Sequence, residues 1–501
     1  MALFDKSDSD NKTPSALDLE VAAAFIEMGT RDDSTPVKPG LAKETLISLL
    51  YQQADMLAKS GQEKQSSTLF EFAMHLSGNN PGNAVTEEGF AHLEQQARYL
   101  MGNGRFLLAA KVYETLVKTA PGNHSTHQDL AAIYLKLNRQ KDAQSLLTDL
   151  YNTHPLEFVA ADAGAVKKGT LLRVSGYDKT YFKIGARANG TFRRYRRGGH
   201  FMLTHLLDTD PYDIFSYTVS ADNINQNNPD VQYGLLLNTI ADADIEFRSL
   251  KSLETYVKKH VKGPIINHPS NVLKTTRDNN YLRLNKVGGI RFPKTERFST
   301  EGITAQTIAD DIKTAGFTFP FIIRETGTHT AVTTELISKQ TELEMYLNNI
   351  SGESLYIIEF IENASPEGHY TKMRFFAIDG QLYPVVRHVD EVWNVHGGNR
   401  KTFMKNHDWM VEKEKQFLKN PASVIGAETY ALLQTLPDII GLEFFGFDFT
   451  LLDNGEILIF ELNPAMRHSF NHAENSPYMR PHLEAISAAF QTMIDQKVSR
   501  A

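Results

Sequence analysis

The chain is 501 residues long, 41% hydrophobic and 22% charged, enough for about three globular domains with sizeable cores. Its 52 Lys and Arg against 60 Asp and Glu leave a formal net charge of -8, which excludes the global basic footprint of a protein that coats nucleic acid. Cysteine is absent, which excludes disulfides, thiolate metal sites and a cysteine nucleophile, and fits a reducing compartment.

Residues 1–40 are polar around one short apolar patch and lack a basic start followed by an apolar core, so they read as a flexible N-terminal segment without a signal peptide. No later run reaches the ~20 apolar residues that span a bilayer. A soluble, cytoplasmic protein with no membrane partner is expected.

Residues 41–156 read as an all-α helical repeat domain. Ala97, Gly104, Ala109, Tyr113 and Pro121 are followed 34 positions later by Ala131, Asn138, Ala143, Leu147 and Pro155. A third copy lies upstream, with Ala54, Gly61, Phe70 and Ala73 at matching offsets and Pro81 displaced by a short insertion. Small residues recur where two helices approach closely, a turn residue separates them, and proline stops the second helix. These segments resemble tetratricopeptide repeats over residues 47 to 155. Stacked helical hairpins of that kind form a concave surface, which implies a peptide or protein substrate or partner; docking on the rest of the chain is the alternative.

From residue 168 short β-rich runs alternate with helical ones, the texture of α/β or α+β architecture. DIFSYTV, YGLLLNTI and GPIINHP, with helical segments around 199 to 208 and 248 to 261, outline an α/β unit over 168–270. Residues 271–495 follow as an α+β region with two hairpins and a helical stretch near 408 to 436.

The last hairpin is FGFDFTLLDNGEILIFELNP, with Asn454-Gly455 as its turn. A two-residue loop sets Asp448 directly opposite Glu461, and alternation puts Asn463 on the same side. Opposed carboxylates are destabilising, and more so among Phe447, Phe449, Ile459 and Phe460. A bound cation resolves the conflict, and hard oxygen ligands without Cys or His favour magnesium. A protonated carboxyl, or a three- or five-residue loop that shifts the register, are the other resolutions.

In the preceding hairpin Asp379-Gly380 is the turn, which sets Arg387 opposite Lys372 with Arg374 on the same face. Three cations on one side of a ribbon call for a counterion such as a polyphosphate, unless the face is merely solvated. The HGGNRK segment adds Asn399 and Arg400. Upstream, the strand FPFII ends in Arg324 and leads into a small-residue loop, ETGTHT, with one glycine, Gly327. SLYIIEFIE places Glu359, Phe360, Ile361 and Glu362 at a strand end, either an edge for an adenine amino group or a solvated rim.

In this order the pieces resemble the ATP-grasp superfamily, closest to its glutathione-synthetase-like branch with the ribosomal-protein glutamate ligases, over roughly residues 170 to 495. The ELNP element, following a strand that carries an acid, is the most specific part. The resemblance implies ATP and magnesium, with Asp448, Glu461 and Asn463 as metal ligands. It further implies Arg324 in the place of a nucleotide-binding lysine, Glu359 to Ile361 as the adenine hinge, and Arg374 and Arg387 as cations on the phosphates and transferred group. Arg467 and His468, just beyond ELNPAM, face the acyl acceptor or lie on the surface, and Asn279 stands where a second lysine is common.

An ATP-dependent carboxylate–amine ligase acting through an acyl phosphate is therefore expected, with a peptide, protein or amino acid as amine. A kinase on the same scaffold and a non-catalytic adaptor that only senses nucleotide are the alternatives. The run from Lys167 to Arg197 holds ten basic residues and one acid, Asp178, with aromatics interleaved. Single-stranded nucleic acid could bind such a run, but an acidic substrate or the acidic repeat domain serves equally, so nucleic acid is not expected as a partner.

Overall fold

The computed structural model describes residues 87–499, except 222, 227, 329–332 and 396–402, together with isolated positions between 50 and 73. Among the described residues the first complete helices are α1 (Glu87–Gly102), α2 (Phe106–Thr119), α3 (His124–Lys136) and α4 (Gln140–Thr153). Strands β1 (Leu156–Val159), β2 (Gly169–Gly176), β3 (Tyr181–Ala186), β4 (Phe192–Arg197), β5 (Tyr212–Val219), β6 (Leu235–Asn238) and β7 (Ile265–Ile266) follow, with α5 (Phe247–His260) before β7. Next come α6 (Arg277–Leu284), β8 (Ile290–Arg291), β9 (Thr295–Ser299), α7 (Ala305–Thr314), β10 (Phe321–Glu325), β11 (Glu335–Ile337), α8 (Gln340–Asn348) and β12 (Ser354–Glu359). The chain closes with β13 (Tyr370–Ile378), β14 (Gln381–Asp390), α9 (Asp408–Lys419), β15 (Phe444–Leu451), β16 (Ile457–Asn463) and α10 (Arg480–Ser499).

The chain divides into two compact units, one holding residues 1–140 and 184–194, the other 141–183 and 195–501. In the first unit, α2 buries Leu108, Ala109, Val112, Tyr113 and Leu116, one face at helical spacing. Asn123 caps α3 by accepting from Thr126 N at 3.1 Å. Gly104, at φ 77°, turns the chain between α1 and α2, as Asn138, at φ 61°, does between α3 and α4. Ala97, Ala109 and Ala131 are wholly buried, so the small repeat positions sit inside. The upstream copy lies largely outside the described residues, as does the segment 1–40.

The basic run explains itself through its partners. Phe192, in the hairpin β3–β4, packs edge-on to Phe106 at 5.3 Å, and Arg194 bonds Asp129 of α3 at 2.9 Å. Lys167 pairs with Asp213, Lys168 with Asp495 and Lys179 with Glu353. Phe182 is buried and Tyr177 lies against Tyr151 at 4.8 Å, so neither ring offers a face to a base.

The second unit is built on three sheets. In the first, ordered β1-β5-β2-β6-β7, the strands from β5 to β7 are mutually parallel and β1 is an antiparallel edge. Its inner strand β6, Leu-Leu-Leu-Asn, is buried throughout, as expected of a parallel strand covered on both faces. The second sheet, β11-β10-β12-β9, is antiparallel, and α7 and α8 bury Ile308, Ile312, Leu343 and Leu347 with its apolar side chains. The third runs β14-β13-β15-β16-β8. Phe375, Phe447 and Phe449 pack together on one side of it with Phe417 of α9. On the other side Phe376 and Phe444 stack, with Phe490 of α10 edge-on.

Two helical expectations need correction. Residues 199–208 form turns and irregular chain rather than a helix. Gly198, at φ 151°, and Gly199 lie so close to Thr180 and Asp242 that an added Cβ would sit 2.1 and 2.7 Å from them. Backbone packing therefore decides this segment. The stretch near 408 to 436 breaks into Asp408–Lys419, Pro421–Ile425 and Ala427–Leu433, at Pro421 and at Gly426, whose φ is 91°.

Candidate active site

The third sheet puts three charged side chains in one row, with Arg374 beside Asp448 and Asp448 beside Glu461 on adjacent strands. The opposition of the two acids arises differently from a two-residue loop. Leu452 and Glu456 close a three-residue loop with Gly455 at φ 85°, which moves the register by one. A bulge at Phe460 moves it back, so that Asp448 again faces Glu461.

Asp448 is only 2% exposed. Arg374 grips its carboxylate in a fork, Nε to Oδ1 at 2.5 Å and Nη2 to Oδ2 at 2.8 Å, and Lys372 Nζ stands 3.5 Å away. Burial alone would raise its pKa; the charges of Arg374 and Lys372, with help from His388, hold it well below the usual carboxylate range. Glu461 meets Arg277 at 2.8 Å and accepts from Asn463 Nδ2 at 3.0 Å. It too is depressed against its own burial, by Arg277 and Arg324.

Arg387 does not join this face. A bulge at Val385 shifts the far half of β14, so Arg387 pairs with Met373 and it is His388 that stands opposite Lys372. Arg387 therefore lies on the α9 side, where its backbone N–H bonds Glu414 at 3.0 Å and its buried Nη1 finds no hydrogen-bond partner among the described residues. Burial pulls its pKa down, and Glu414 offsets this only in part. The signal was in the sequence: Pro384 cannot donate to a ladder, and within strands proline marks an edge or a bulge.

A second group of charges faces Glu461 from other sheets. Arg324, opposite Tyr356 in the β10–β12 pair, bonds the Thr328 carbonyl. Burial, reinforced by Arg277, brings its pKa down to about 10, against the pull of Glu461, Asp242 and Asp244. Tyr356 donates to Asp244 at 2.8 Å, and Arg297 bonds both Asp244 and Tyr356. Gly327, at φ 66°, helps line the resulting pocket with Asp242, Arg277 and Asn463. The pocket encloses about 40 Å³, room for a few waters at most, because guanidinium–carboxylate pairs fill it.

Sequence reading missed Asp242, Asp244, Arg277, Tyr356 and His388. The first two follow β6, at the carboxyl end of a parallel strand where open α/β sheets bind ligands, which was the available clue. Arg277 had none, since it reaches Glu461 from 184 positions away (461 less 277). Asn279 bonds Thr276 locally at 2.8 Å.

The remaining expected residues are placed as follows. Glu359, ending β12, accepts from Arg291 at 2.8 Å and from Lys294 N at 3.1 Å. Phe360 meets Trp393 edge-on at 5.9 Å, Ile361 is partly buried, and Glu362 caps the backbone of Asn363 and Ala364. Arg467 is exposed. His468 is buried against Phe376 and Phe470 and bonds Ser487 at 3.0 Å, a packing position. Asn399 and Arg400 lie outside the described residues.

No family model matches the chain, and no curated protein does. Among solved structures, D-alanine–D-alanine ligase from Bacillus anthracis complexed with ATP aligns at a TM-score of 0.36 and 10% identity, over 66% of this chain and 98% of that one. The ADP complex of N5-carboxyaminoimidazole ribonucleotide synthetase aligns at 0.39 and 13%, over 64% and 78%. A RimK domain ATP-grasp protein from Sphaerobacter thermophilus aligns at 0.36 and 11%, over 64% and 98%. At such scores and identities these likenesses carry no argument about what the chain does.

The donor chemistry carries more. Among the described residues no three His, Asp or Glu side chains gather as a metal cluster. Two opposed carboxylates and one amide remain, a set that fits magnesium, which takes one or two protein carboxylates and completes its shell with water and phosphate.

Proposed function

We propose that the chain is an ATP- and magnesium-dependent ligase of ATP-grasp type, joining a carboxylate to an amine through an acyl phosphate. The row Arg374, Asp448, Glu461 carries this reading: two depressed, ionised carboxylates and a partly buried guanidinium share one face of one sheet. Held by Asp448, Glu461 and Asn463, magnesium would neutralise charge on the ATP phosphates. Arg374 and Lys372 exchange Asp448 for phosphoryl oxygens, while Arg277 exchanges Glu461, and Arg324 the Thr328 carbonyl, for the same oxygens. The substrate carboxylate oxygen bonds the γ-phosphorus and ADP leaves. The amine then bonds the acyl carbon, phosphate leaves, and the nitrogen loses a proton. Positioning and charge neutralisation suffice for this chemistry, in keeping with a chain that has no cysteine.

A peptide or protein bound with help from the helical repeats is the proposed substrate, with an amino acid as the other candidate amine. The test is ADP release measured with candidate acids, with and without amine. Release that needs both supports the ligase; release complete without any amine replaces it with a kinase. The filled pocket favours one further reading, a nucleotide-sensing adaptor in which nucleotide binds but the Arg374–Asp448 fork stays closed, and nucleotide binding without turnover under any substrate would select it.

A further inference from the structure

The first unit contains a cavity of about 420 Å³, bounded by α1, α3 and the tip of the hairpin β3–β4, within the size range of ligand pockets. It is a built cavity. Phe192 packs edge-on to Phe106 in a space left by Gly104, where a Cβ would stand 3.3 Å from the Phe192 ring. Arg194 fastens the hairpin to α3 through Asp129 and the Ser125 carbonyl, at 2.9 and 2.7 Å, and Tyr113 holds the second Asp129 oxygen at 3.1 Å. Asp129 is therefore already bonded on both oxygens.

Among the described residues the rest of the charged lining is cationic: Arg98 from α1, and Arg187 and Arg193 from the hairpin. Arg98 pairs with Glu94 but keeps 55% of its side chain exposed, and Arg187 is exposed; Arg193 is exposed as well and has a partner of its own. Guanidinium groups bind carboxylates through paired, parallel hydrogen bonds. We propose that this cavity binds an acidic peptide segment, whose Asp or Glu side chains lie between Arg98 and the hairpin arginines. Nucleic acid fits less well, because Phe192 is committed to Phe106 and Asp129 lies in the lining, leaving neither a stacking face nor an unbroken cationic track. This inference is independent of the reading of the sheet site.

The test uses the full chain and fluorescently labelled hexaglutamate, with hexaglutamine and a single-stranded oligonucleotide of equal length as comparisons, in anisotropy titrations at low and moderate salt. Hexaglutamate binding alone is expected. It should weaken by about fivefold in Arg187→Glu and further in Arg98→Gln/Arg187→Glu, while Lys259→Glu, on an exposed helix end in the other unit, leaves it unchanged. Arg187 is at an exposed turn, so its variant keeps the fold, as circular dichroism would verify. Equal affinity in Arg187→Glu and wild type, no hexaglutamate binding at low salt, or tighter binding of the oligonucleotide through the same arginines would each overturn the proposal.

Discussion

Replacing Asp448 with asparagine separates what its carboxylate does for the fold from what it does for turnover. Side-chain volume is kept, but one oxygen becomes an amide whose hydrogens face the donors of Arg374, now 2.5 and 2.8 Å away. Arg374 is left partly buried without its anion, and Lys372 loses a partner. Removing one member of a buried pair costs about 3 to 5 kcal/mol. Taking about 3 kcal/mol, because Arg374 retains some solvent access, and about 2 °C per kcal/mol for a large unit, unfolding should shift down by roughly 6 °C. Asp448→Asn/Arg374→Gln should recover part of this, since neither charge then remains buried alone. ADP release should fall by about 100-fold or more in Asp448→Asn and stay low in the double variant. Scanning calorimetry and an ADP-release assay, both below the unfolding range, check the two halves. Turnover unchanged in Asp448→Asn would refute the proposed role of Asp448, and an unshifted unfolding temperature would refute the energetics of the fork.

Three further outcomes follow from particular residues. Arg387→Met should lower stability, since Glu414 loses a countercharge, yet leave turnover within a few-fold of wild type; Arg374→Met should abolish turnover, and equal losses in both would contradict the bulge at Val385. Arg324→Met should reduce the thermal stabilisation given by ADP with magnesium, and an undiminished shift would remove Arg324 from the nucleotide site. His468 has its pKa lowered from 6.5 to about 4, by burial and then by His205, so the folded state resists its protonation. Stability from this group is present above the unfolded pKa and is lost as pH falls from 6.5 toward 4; His468→Gln should lessen the fall in urea midpoint between pH 7.5 and pH 5, and an unchanged fall would contradict the assignment.

Much of the sheet architecture was legible because its signals are local. Asp379-Gly380 and Asn454-Gly455 announced both hairpins, and alternating apolar residues announced their strands. The errors came where one extra residue enters a strand. The bulge at Val385 carried Arg387 to the wrong face and brought His388 in. At Phe460 an equal bulge cancelled the offset of a three-residue loop, so the expected opposition of Asp448 and Glu461 emerged from two compensating irregularities. A period-2 pattern inverts with each inserted residue, and only one of the two bulges had a marker, Pro384.

The sequence by itself determined the hairpins, the acids and cations carried on them, and the small and turn residues of the helical segment, because turn chemistry and side-chain alternation act over a few residues. Only the tertiary structure decided the partners. Arg277 reached Glu461 from α6, Asp244 joined Tyr356 and Arg297 from the end of β6, and the basic hairpin met Asp129. Those pairings join positions tens to nearly two hundred residues apart. Burial makes them binding, since a charge withdrawn from water must find an opposite charge or a hydrogen bond wherever the fold supplies it.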